Sequence, residues 1–243
     1  MKTPVEVRAV KLQGDGGSIS VEVYALSDVG RTREHNEDAF LVSDLAKGQP
    51  IDFEAPVQER VGARGLLFMV ADGMGGAAAG ELASATAVDV VLRSLREQWT
   101  AAEATKTDEF VSALERATQT ANSVIYRYAT EHPEVRGMGT TATIAGLLGD
   151  TLYLAQVGDS RAYLVRDGQA RQLTKDQSLI QKLVEAGELT EAQAEVSERR
   201  NIILQALGPE AHIKVDLTHQ QVRRGDVLVL CSDGLSGLVR PDD

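Results

Sequence analysis

Three apolar segments of this chain end in the same way, in a small residue followed by an aspartate and then by glycine or serine. They are residues 69–73 (MVADG), 156–160 (QVGDS) and 230–234 (LCSDG), and their aspartates are Asp72, Asp159 and Asp233. A carboxylate at the end of a buried strand is costly unless positive charge meets it. Where several such strand ends converge, mutual repulsion makes a shared cation the natural solution. The pattern therefore favours strands whose ends meet around a metal site.

The residue types near these segments indicate which metal fits. A fourth acidic position is the pair Glu37 and Asp38, of which Asp38 directly precedes a short apolar segment at 39–42. The chain has only four histidines and one cysteine, so a zinc or copper site is poorly supplied. Oxygen ligands alone favour the hard ions Mg²⁺, Mn²⁺ or Ca²⁺. Gly73 lets the backbone come close to the site, and a glycine carbonyl can itself be a ligand.

An Asp-Gly pair after a strand is also a common turn, and we interpret Asp167 and Gly168 in that way. For any single Asp-Gly pair the turn is the commoner outcome. Three strand-terminal aspartates together with Glu37 and Asp38 make the metal site the better interpretation. The composition of the site does not by itself name the reaction.

Arg33 lies five residues before Asp38 and suggests a phosphate ligand. Its guanidinium could hold a phosphate through a bidentate fork, but an arginine beside Arg31 and Glu34 is more commonly a solvated loop residue. The sequence has no Gly-rich loop of the Walker type, so nucleoside triphosphate binding by that route is not expected. It also lacks the Gly-x-Ser-x-Gly elbow of serine hydrolases.

The spacing of apolar residues predicts a mixed α+β domain. Strands are predicted at 21–27, 39–42, 66–71, 140–148, 151–157, 161–166, 215–222 and 226–231, and helices at 81–99, 108–128, 177–186 and 190–198. Strands, two long helices and further strands are typical of antiparallel sheets covered by helices. Residues 1–18 end in several glycines and are predicted as a flexible N-terminal arm or an edge strand, so a single domain is expected over 19–243.

Composition excludes several other functions. The net charge of −11 argues against a nucleic-acid or anionic-membrane partner. No apolar run approaches the length of a membrane span, and the single cysteine, Cys231, cannot form an internal disulfide. A cytoplasmic monomer is the expectation.

Taken together, the motifs resemble the metal-dependent type 2C serine/threonine protein phosphatases in their short bacterial form. The matching segments, in the family's order, are 27–38 (SDVGRTREHNED), 70–76 (VADGMGG), 80–84 (GELAS), 137–141 (GMGTT), 157–163 (VGDSRAY), 173–176 (LTKD) and 230–235 (LCSDGL). One such match would be weak, but the ordered set is highly specific. The resemblance covers the chain from about residue 21 to its last residue.

The resemblance implies a fold and a ligand set. The fold would be a central sandwich of two antiparallel β-sheets flanked by helix pairs, with the metals at one edge. The roles carried over by motif position are Asp72 bridging two core ions, the Gly73 carbonyl on one of them, Asp233 on the other, Asp159 beside a third ion, Glu37 and Asp38 as the acidic pair that binds metal directly or through water, and Arg33 on the phosphate.

The resemblance also implies the reaction, which is hydrolysis of phosphoserine and phosphothreonine in proteins by a hydroxide that bridges two metal ions. Two or three Mn²⁺ or Mg²⁺ ions are expected, and the substrates are phosphorylated proteins that include a serine/threonine kinase. Segment 177–200 resembles the mobile flap beside the site. The alternative is a non-catalytic phosphopeptide-binding or regulatory relative. A Ca²⁺-binding structural domain is disfavoured because no twelve-residue Ca²⁺ loop is present.

Three features depart from the family's pattern. The pattern continues beyond the last Ser-Asp-Gly motif to an aspartate that binds a core metal, whereas this sequence ends at Asp243. We therefore expect a C-terminally truncated domain with weaker metal binding. Met74 and Ala77 stand where many relatives carry histidine, and Gln177 replaces another histidine, so no general acid is evident.

Overall fold

The computed structural model describes residues 8–15, 18–31, 33–51, 56–99, 106–195, 197, 199 and 201–239. The strands are β1 (Arg8–Asp15), β2 (Ser18–Tyr24), β3 (Asp38–Asp44), β4 (Gln49–Pro50), β5 (Val57–Arg60), β6 (Leu66–Met74), β7 (Gly139–Thr140), β8 (Ala142–Leu148), β9 (Thr151–Val157), β10 (Arg161–Arg166), β11 (Gln169–Gln172), β12 (Asp216–Gln221) and β13 (Val227–Cys231). The α-helices are α1 (Ala77–Gln98), α2 (Thr107–Glu131), α3 (Leu179–Glu185), α4 (Glu191–Glu195) and α5 (Asp233–Ser236), and a 3-10 turn covers Pro133–Val135.

These strands form two antiparallel sheets. One sheet has the order β11-β10-β13-β1-β2-β5, and the other has the order β12-β9-β8-β6-β3-β4 with β7 paired to the end of β6. Two-residue turns join β8 to β9 at 149–150 and β10 to β11 at Asp167 and Gly168, and the second of these is the predicted turn. In the second turn Asp167 has a φ of 53°, the single positive value of a non-glycine among the described residues. An aspartate tolerates this conformation better than most residues, which agrees with its interpretation as a turn.

The N-terminal part of the first sheet differs from the sequence prediction. Residues 8–15 were expected in a flexible arm or an edge strand, but β1 lies inside the sheet. It pairs with β2 on one side and with β13 on the other, Val10 facing Val23 and Leu228. The arm prediction is therefore wrong for these residues, while residues 1–7 and 16–17 lie outside the described part of the chain.

β6 connects the two hydrophobic cores because both of its faces are buried. Its odd-numbered residues, Leu67, Met69 and Ala71, pack under the long helices, while Leu66, Phe68 and Val70 pack between the two sheets. Successive side chains of a strand point to opposite faces, so a strand buried on both faces is apolar without interruption. This is the physical reason for the apolar run that precedes Asp72.

The long helices α1 and α2 cover the outer face of the sheet that contains β6. Their buried residues recur at helical spacing, as Ala83, Ala87 and Leu95 do on α1. Trp99 follows α1, is fully buried, and lies 5.0 Å from the ring of Phe110 on α2. Within the described residues, no helix is both long enough and apolar enough to cross a membrane.

Candidate metal centre

Asp38 and Asp72 face each other across two neighbouring strands. Asp38 begins β3, Asp72 lies near the end of β6, and the antiparallel register pairs the two residues directly. The backbone of Asp72 is held by a pair of threonines. Its N–H donates to Thr141 Oγ1 at 2.9 Å, and its carbonyl accepts from the Thr141 N–H and from Thr140 Oγ1, both at 2.9 Å. These three hydrogen bonds fix the backbone that carries the Asp72 carboxylate.

The Asp72 carboxyl lies in a strongly negative environment. Burial, together with the neighbouring charges of Asp38, Asp233 and Asp159, raises its pKa to about 10. Burial and Asp233 likewise raise the pKa of Asp159 to about 6. Four carboxyl groups therefore interact at one edge of the sandwich with too little positive charge nearby to stabilise them all, which is the condition that a bound cation relieves.

Ser232 brings the end of β13 to this cluster. Its hydroxyl donates a 2.8 Å hydrogen bond to Asp38 Oδ2, which joins strands of the two different sheets. Asp233 follows directly and starts α5. Sequence reasoning quoted Ser232 as part of a motif but gave it no role. The available signal was its place immediately before a strand-terminal aspartate.

Asp159 is positioned by a loop that Gln177 supports. The N–H of Gly158 donates to Gln177 Oε1, and the N–H of Gln177 donates to the carbonyl of Gly158, both at 2.9 Å. The Nε2 group of Gln177 donates to Asp216 Oδ2 at 2.9 Å. Gly158 has a φ of 101°, and a Cβ there would lie 2.7 Å from Thr141 Cγ2, so glycine is required by both conformation and space.

Glu37 lies between the start of α1 and the end of β6. Its carbonyl accepts hydrogen bonds from the Gly73 N–H at 3.1 Å and from Ser84 Oγ at 2.6 Å. A Cβ on Gly73 would lie 2.2 Å from the carbonyl oxygen of Gly80, and a Cβ on Gly80 would lie 3.0 Å from Glu37 Oε2. The two glycines therefore let the start of the helix pack against the strand end that carries Asp72.

Arg33 lies on the loop between β2 and β3. Its Nη1 is 3.9 Å from Glu37 Oε2, and 68% of its side chain is exposed. A guanidinium that is exposed and adjacent to the acidic cluster can contact an incoming phosphate. Its phosphate-binding role stays a prediction.

A network of buried polar side chains lies next to the carboxylate cluster. It was not predicted from the sequence. Thr141 Oγ1 lies 2.7 Å from Ser160 Oγ, and Thr143 Oγ1 donates to the Ser160 carbonyl at 2.9 Å. Gln156 Nε2 donates to the same carbonyl at 2.8 Å. All four side chains are buried and paired, so the network fixes the Asp159 loop relative to the backbone of Asp72.

The donor set fits a hard divalent ion by its chemistry. The side chains of Asp38, Asp72, Asp159 and Asp233 offer only oxygen. As the side chains stand, no three His, Cys, Asp or Glu residues in the described part of the chain are arranged to hold a single ion. Their mutual electrostatic effects nevertheless show that the carboxylates are neighbours. The individual ligand roles therefore stay predictions that rest on charge and placement.

A sandwich of two antiparallel sheets with a carboxylate cluster at one edge is the architecture expected of a metal-dependent phosphatase. Comparison with known proteins gives the family. Residues 35–243 match the protein phosphatase 2C family, so the chain belongs to that family.

Its relatives are bacterial serine/threonine phosphatases. The chain is 38% identical over 214 residues to the serine/threonine phosphatase stp of Listeria innocua, which covers 88% of this chain and 77% of that protein. It is 37% identical over 213 residues to the serine/threonine protein phosphatase PstP of Mycobacterium tuberculosis, covering 87% of this chain and 36% of that one.

Solved structures of this group have the same fold. The crystal structure of the M. tuberculosis phosphatase PstP/Ppp matches with a TM-score of 0.69 and 31% identity, covering 97% of this chain and 82% of that chain. The catalytic domain of PstP in complex with two manganese ions matches with a TM-score of 0.67 and 30% identity, covering 96% of this chain and 81% of that chain. The predicted family, the α+β sandwich and the metal-dependent phosphatase activity are confirmed.

Proposed function

We propose that the described carboxylate cluster is the catalytic centre with which this chain hydrolyses phosphoserine and phosphothreonine in proteins. The observation that carries the proposal is the raised pKa of Asp72. Burial and three neighbouring aspartates destabilise the ionised form of its carboxyl group. A protein keeps such a group when a ligand of opposite charge compensates it. The same four residues occupy the positions that the sequence motifs assign to metal ligands.

Each residue of the cluster has a proposed role. The residues that would hold Mn²⁺ or Mg²⁺ are Asp72, Asp38, Asp233, Asp159, Glu37 and the carbonyl of Gly73. When bound, these ions supply positive charge for the phosphoryl oxygens and lower the pKa of a coordinated water. Arg33 binds the phosphate from the solvent side, where its exposed guanidinium is free to form a bidentate contact.

The residues around the cluster orient it. Thr140 and Thr141 hold the Asp72 backbone, Ser232 orients Asp38, and Gln177 holds the loop that carries Asp159. Side chains fixed in this way lose little freedom when the ions and the substrate bind, which lowers the cost of forming the reactive arrangement.

The reaction requires a kinase that supplies phosphoserine and phosphothreonine, and we infer that such a kinase is itself among the substrates. We also infer that the chain acts as a monomer in the cytoplasm, where ATP for that kinase is available and the buried thiol of Cys231 stays reduced. Phosphate release from the autophosphorylated kinase tests the first inference, and sedimentation equilibrium tests the monomeric state.

The decisive experiment is hydrolysis of a phosphothreonine peptide with Mn²⁺ or Mg²⁺, with and without a chelator. Asp72→Asn and Arg33→Ala are each expected to lower kcat/KM on the order of a hundredfold or more, since about 1.4 kcal/mol of lost transition-state stabilisation is tenfold in rate. The matched control is Asp167→Asn, because Asp167 lies in a turn where asparagine is equally well tolerated. Turnover that persists in the chelator, or an Asp72→Asn variant as active as the control, would contradict the proposal.

A further inference from the structure

A cavity lined by basic residues lies at the end of the molecule opposite the carboxylate cluster. Its volume is about 390 Å³, and its lining consists of Ala46, Lys47, Gly48, Arg64, Arg93, Arg96 and Glu97. Four of these seven residues are cations and one is a carboxylate, in a chain whose net charge is −11. A cleft lined by one sign of charge focuses the electrostatic field and attracts ions of the opposite sign.

Two elements, β3 and α1, place the cavity far from the catalytic centre. β3 begins at Asp38 and ends at Asp44, just before the cavity, and six residue steps of a strand span roughly 20 Å. On α1, Gly80 lies at the carboxylate cluster and Arg96 at the cavity, and sixteen residues of helix span roughly 24 Å. The cavity is therefore a separate site.

Arg64 contributes an unsatisfied donor to this site. Its Nη2 donates to the carbonyl of Trp99, and its own carbonyl accepts from Trp99 Nε1 at 2.9 Å, so the side chain is fixed. Its Nε atom is buried and has no hydrogen-bond partner among the described residues. A buried donor without an acceptor is costly, so Arg64 carries an uncompensated polar group beside the cavity.

The other cations of the cavity differ in how far their charge is neutralised. Lys47 is paired with Glu59 at 2.9 Å and with Asp44 at 3.7 Å. Arg93 lies 3.5 Å from Asp89, but both side chains are more than half exposed, and an exposed pair of this kind contributes little.

Arg96 lies beside the Gly48 backbone that lines the cavity. It lies against Gly48, where a Cβ would be 2.6 Å from its Nε, and it forms no ion pair within the described part of the chain. The arginines of the cavity thus keep most of their charge available to a ligand.

We propose that this cavity binds a phosphate group, through the guanidinium groups of Arg64, Arg93 and Arg96. Planar guanidinium forks match the geometry of a phosphate dianion and bind it bidentately. The group is carried either by free inorganic phosphate, which is the product of the reaction, or by a phosphorylated side chain of a protein. Because binding is a property of the cavity alone, the proposal stands or falls independently of the proposed function.

Trp99 gives a direct signal for binding. It is the single tryptophan of the chain, and it is hydrogen-bonded to Arg64 through its indole Nε1 and through its backbone carbonyl. The experiment is a fluorescence titration of the Mg²⁺-loaded protein with inorganic phosphate and, separately, with a peptide that carries a non-hydrolysable phosphonate analogue of phosphothreonine. Sodium chloride at matched ionic strength is the control for screening.

The expected result is a saturable change in Trp99 emission with phosphate, the phosphonate peptide or both, and no such change with chloride. Arg93→Gln/Arg96→Gln should weaken the response at least tenfold. Arg127→Gln/Arg136→Gln, which removes two exposed arginines elsewhere, should leave it unchanged. Arg33→Ala should also retain the response, because Arg33 belongs to the catalytic centre.

Three outcomes would overturn the proposal. They are no saturable response to either ligand, an equal response to chloride, and an unchanged affinity in Arg93→Gln/Arg96→Gln. A response lost in Arg33→Ala would assign the binding to the catalytic centre and would overturn it as well. Both cavity arginines are exposed, so their replacement is not expected to unfold the chain.

Discussion

The hydroxyl of Ser232 donates a 2.8 Å hydrogen bond to Oδ2 of Asp38. Ser232 follows the last strand of one sheet, and Asp38 begins a strand of the other sheet. This contact joins the two sheets at their acidic edge and sets the orientation of a carboxylate that the proposed metal centre uses. Because Ser232 is nearly fully buried, water cannot easily replace the bond.

Ser232→Ala should therefore weaken metal binding more than it lowers the rate at saturating metal. Loss of one such hydrogen bond is worth about 1 kcal/mol, which is roughly a fivefold change in the Mn²⁺ concentration needed for half-maximal activity. The measurement is a Mn²⁺ titration of peptide hydrolysis. Ser123→Ala, at an exposed serine of α2, is the control and should titrate like the parent chain. Equal titration curves for all three proteins would show that Ser232 does not contribute to metal binding.

Gly73→Ala should destabilise the fold and abolish activity together. The new Cβ would lie 2.2 Å from the carbonyl oxygen of Gly80, and neither backbone can move without shifting β6 or α1. Overpacking of this kind costs about 1–3 kcal/mol, measurable as a lower midpoint of urea unfolding. Gly62→Ala is the control, because nothing lies within 4 Å of a Cβ there. A Gly73→Ala variant as stable as Gly62→Ala would show that the helix does not pack as described.

Gln177→Ala should loosen the loop that carries Asp159. The variant removes the acceptor of the Gly158 N–H and the donor to Asp216. We expect the Gly158 amide to exchange its hydrogen roughly three- to tenfold faster, in line with the loss of one net hydrogen bond. Hydrogen exchange followed by NMR is the measurement. Gln119→Ala, at an exposed glutamine of α2, is the control. Unchanged exchange at Gly158 would mean that Gln177 does not hold this loop.

Because of Asp226, the stability of the fold should depend on pH in the acidic range. Burial alone would raise its pKa, but the hydrogen bonds from Arg166 and from the backbone N–H of Arg223 outweigh that effect, and the net shift of the pKa is downward. A carboxylate with a lowered folded pKa stabilises the fold above the unfolded value of about 3.9. This contribution is lost as the pH falls through the lower pKa of the folded state.

The corresponding experiment compares Asp226→Asn with the parent chain by urea unfolding between pH 3 and pH 7. At neutral pH the variant should be less stable by about 1.5–3 kcal/mol, the range for hydrogen bonds to a charged group. The difference should shrink as the pH falls below 4. Asp167→Asn, at an exposed carboxylate that also pairs with Arg223, should show a small effect at every pH. A difference in stability that does not change with pH would show that the ionisation of Asp226 does not contribute to the stability of the fold.

The sequence predicted the parts of the site that depend on local pattern. Asp72 and Asp159 were found because each ends an apolar run, and such runs are visible in a single segment of sequence. The partners that orient them were not found. Thr141 and Ser232 are 69 and 194 residues away from the residues that they contact. A contact at that separation leaves no periodic trace in either segment.

The same reason explains the error at the N-terminus. Residues 8–15 contain polar residues and end among glycines, so their local pattern favours an arm. Their place inside a sheet is set by β2 and by β13, and the second of these strands begins more than 200 residues later. The position of a strand in a sheet is decided by such non-local partners, and local propensity carries no information about them.

The double burial of β6 has a consequence for how its alignment is chosen during folding. On a strand with one buried face, a shift of the pairing register by one residue exposes apolar side chains and is therefore unfavourable. On β6 a slip would exchange Leu67, Met69 and Ala71 for neighbours of the same character, so burial selects the alignment only weakly. The contacts of Gly73 and the hydrogen bonds to Asp72 tolerate no such slip. The polar end of β6, to which we assign the metal centre, therefore also determines how the central strand is aligned. A mutation there should impair folding as well as turnover.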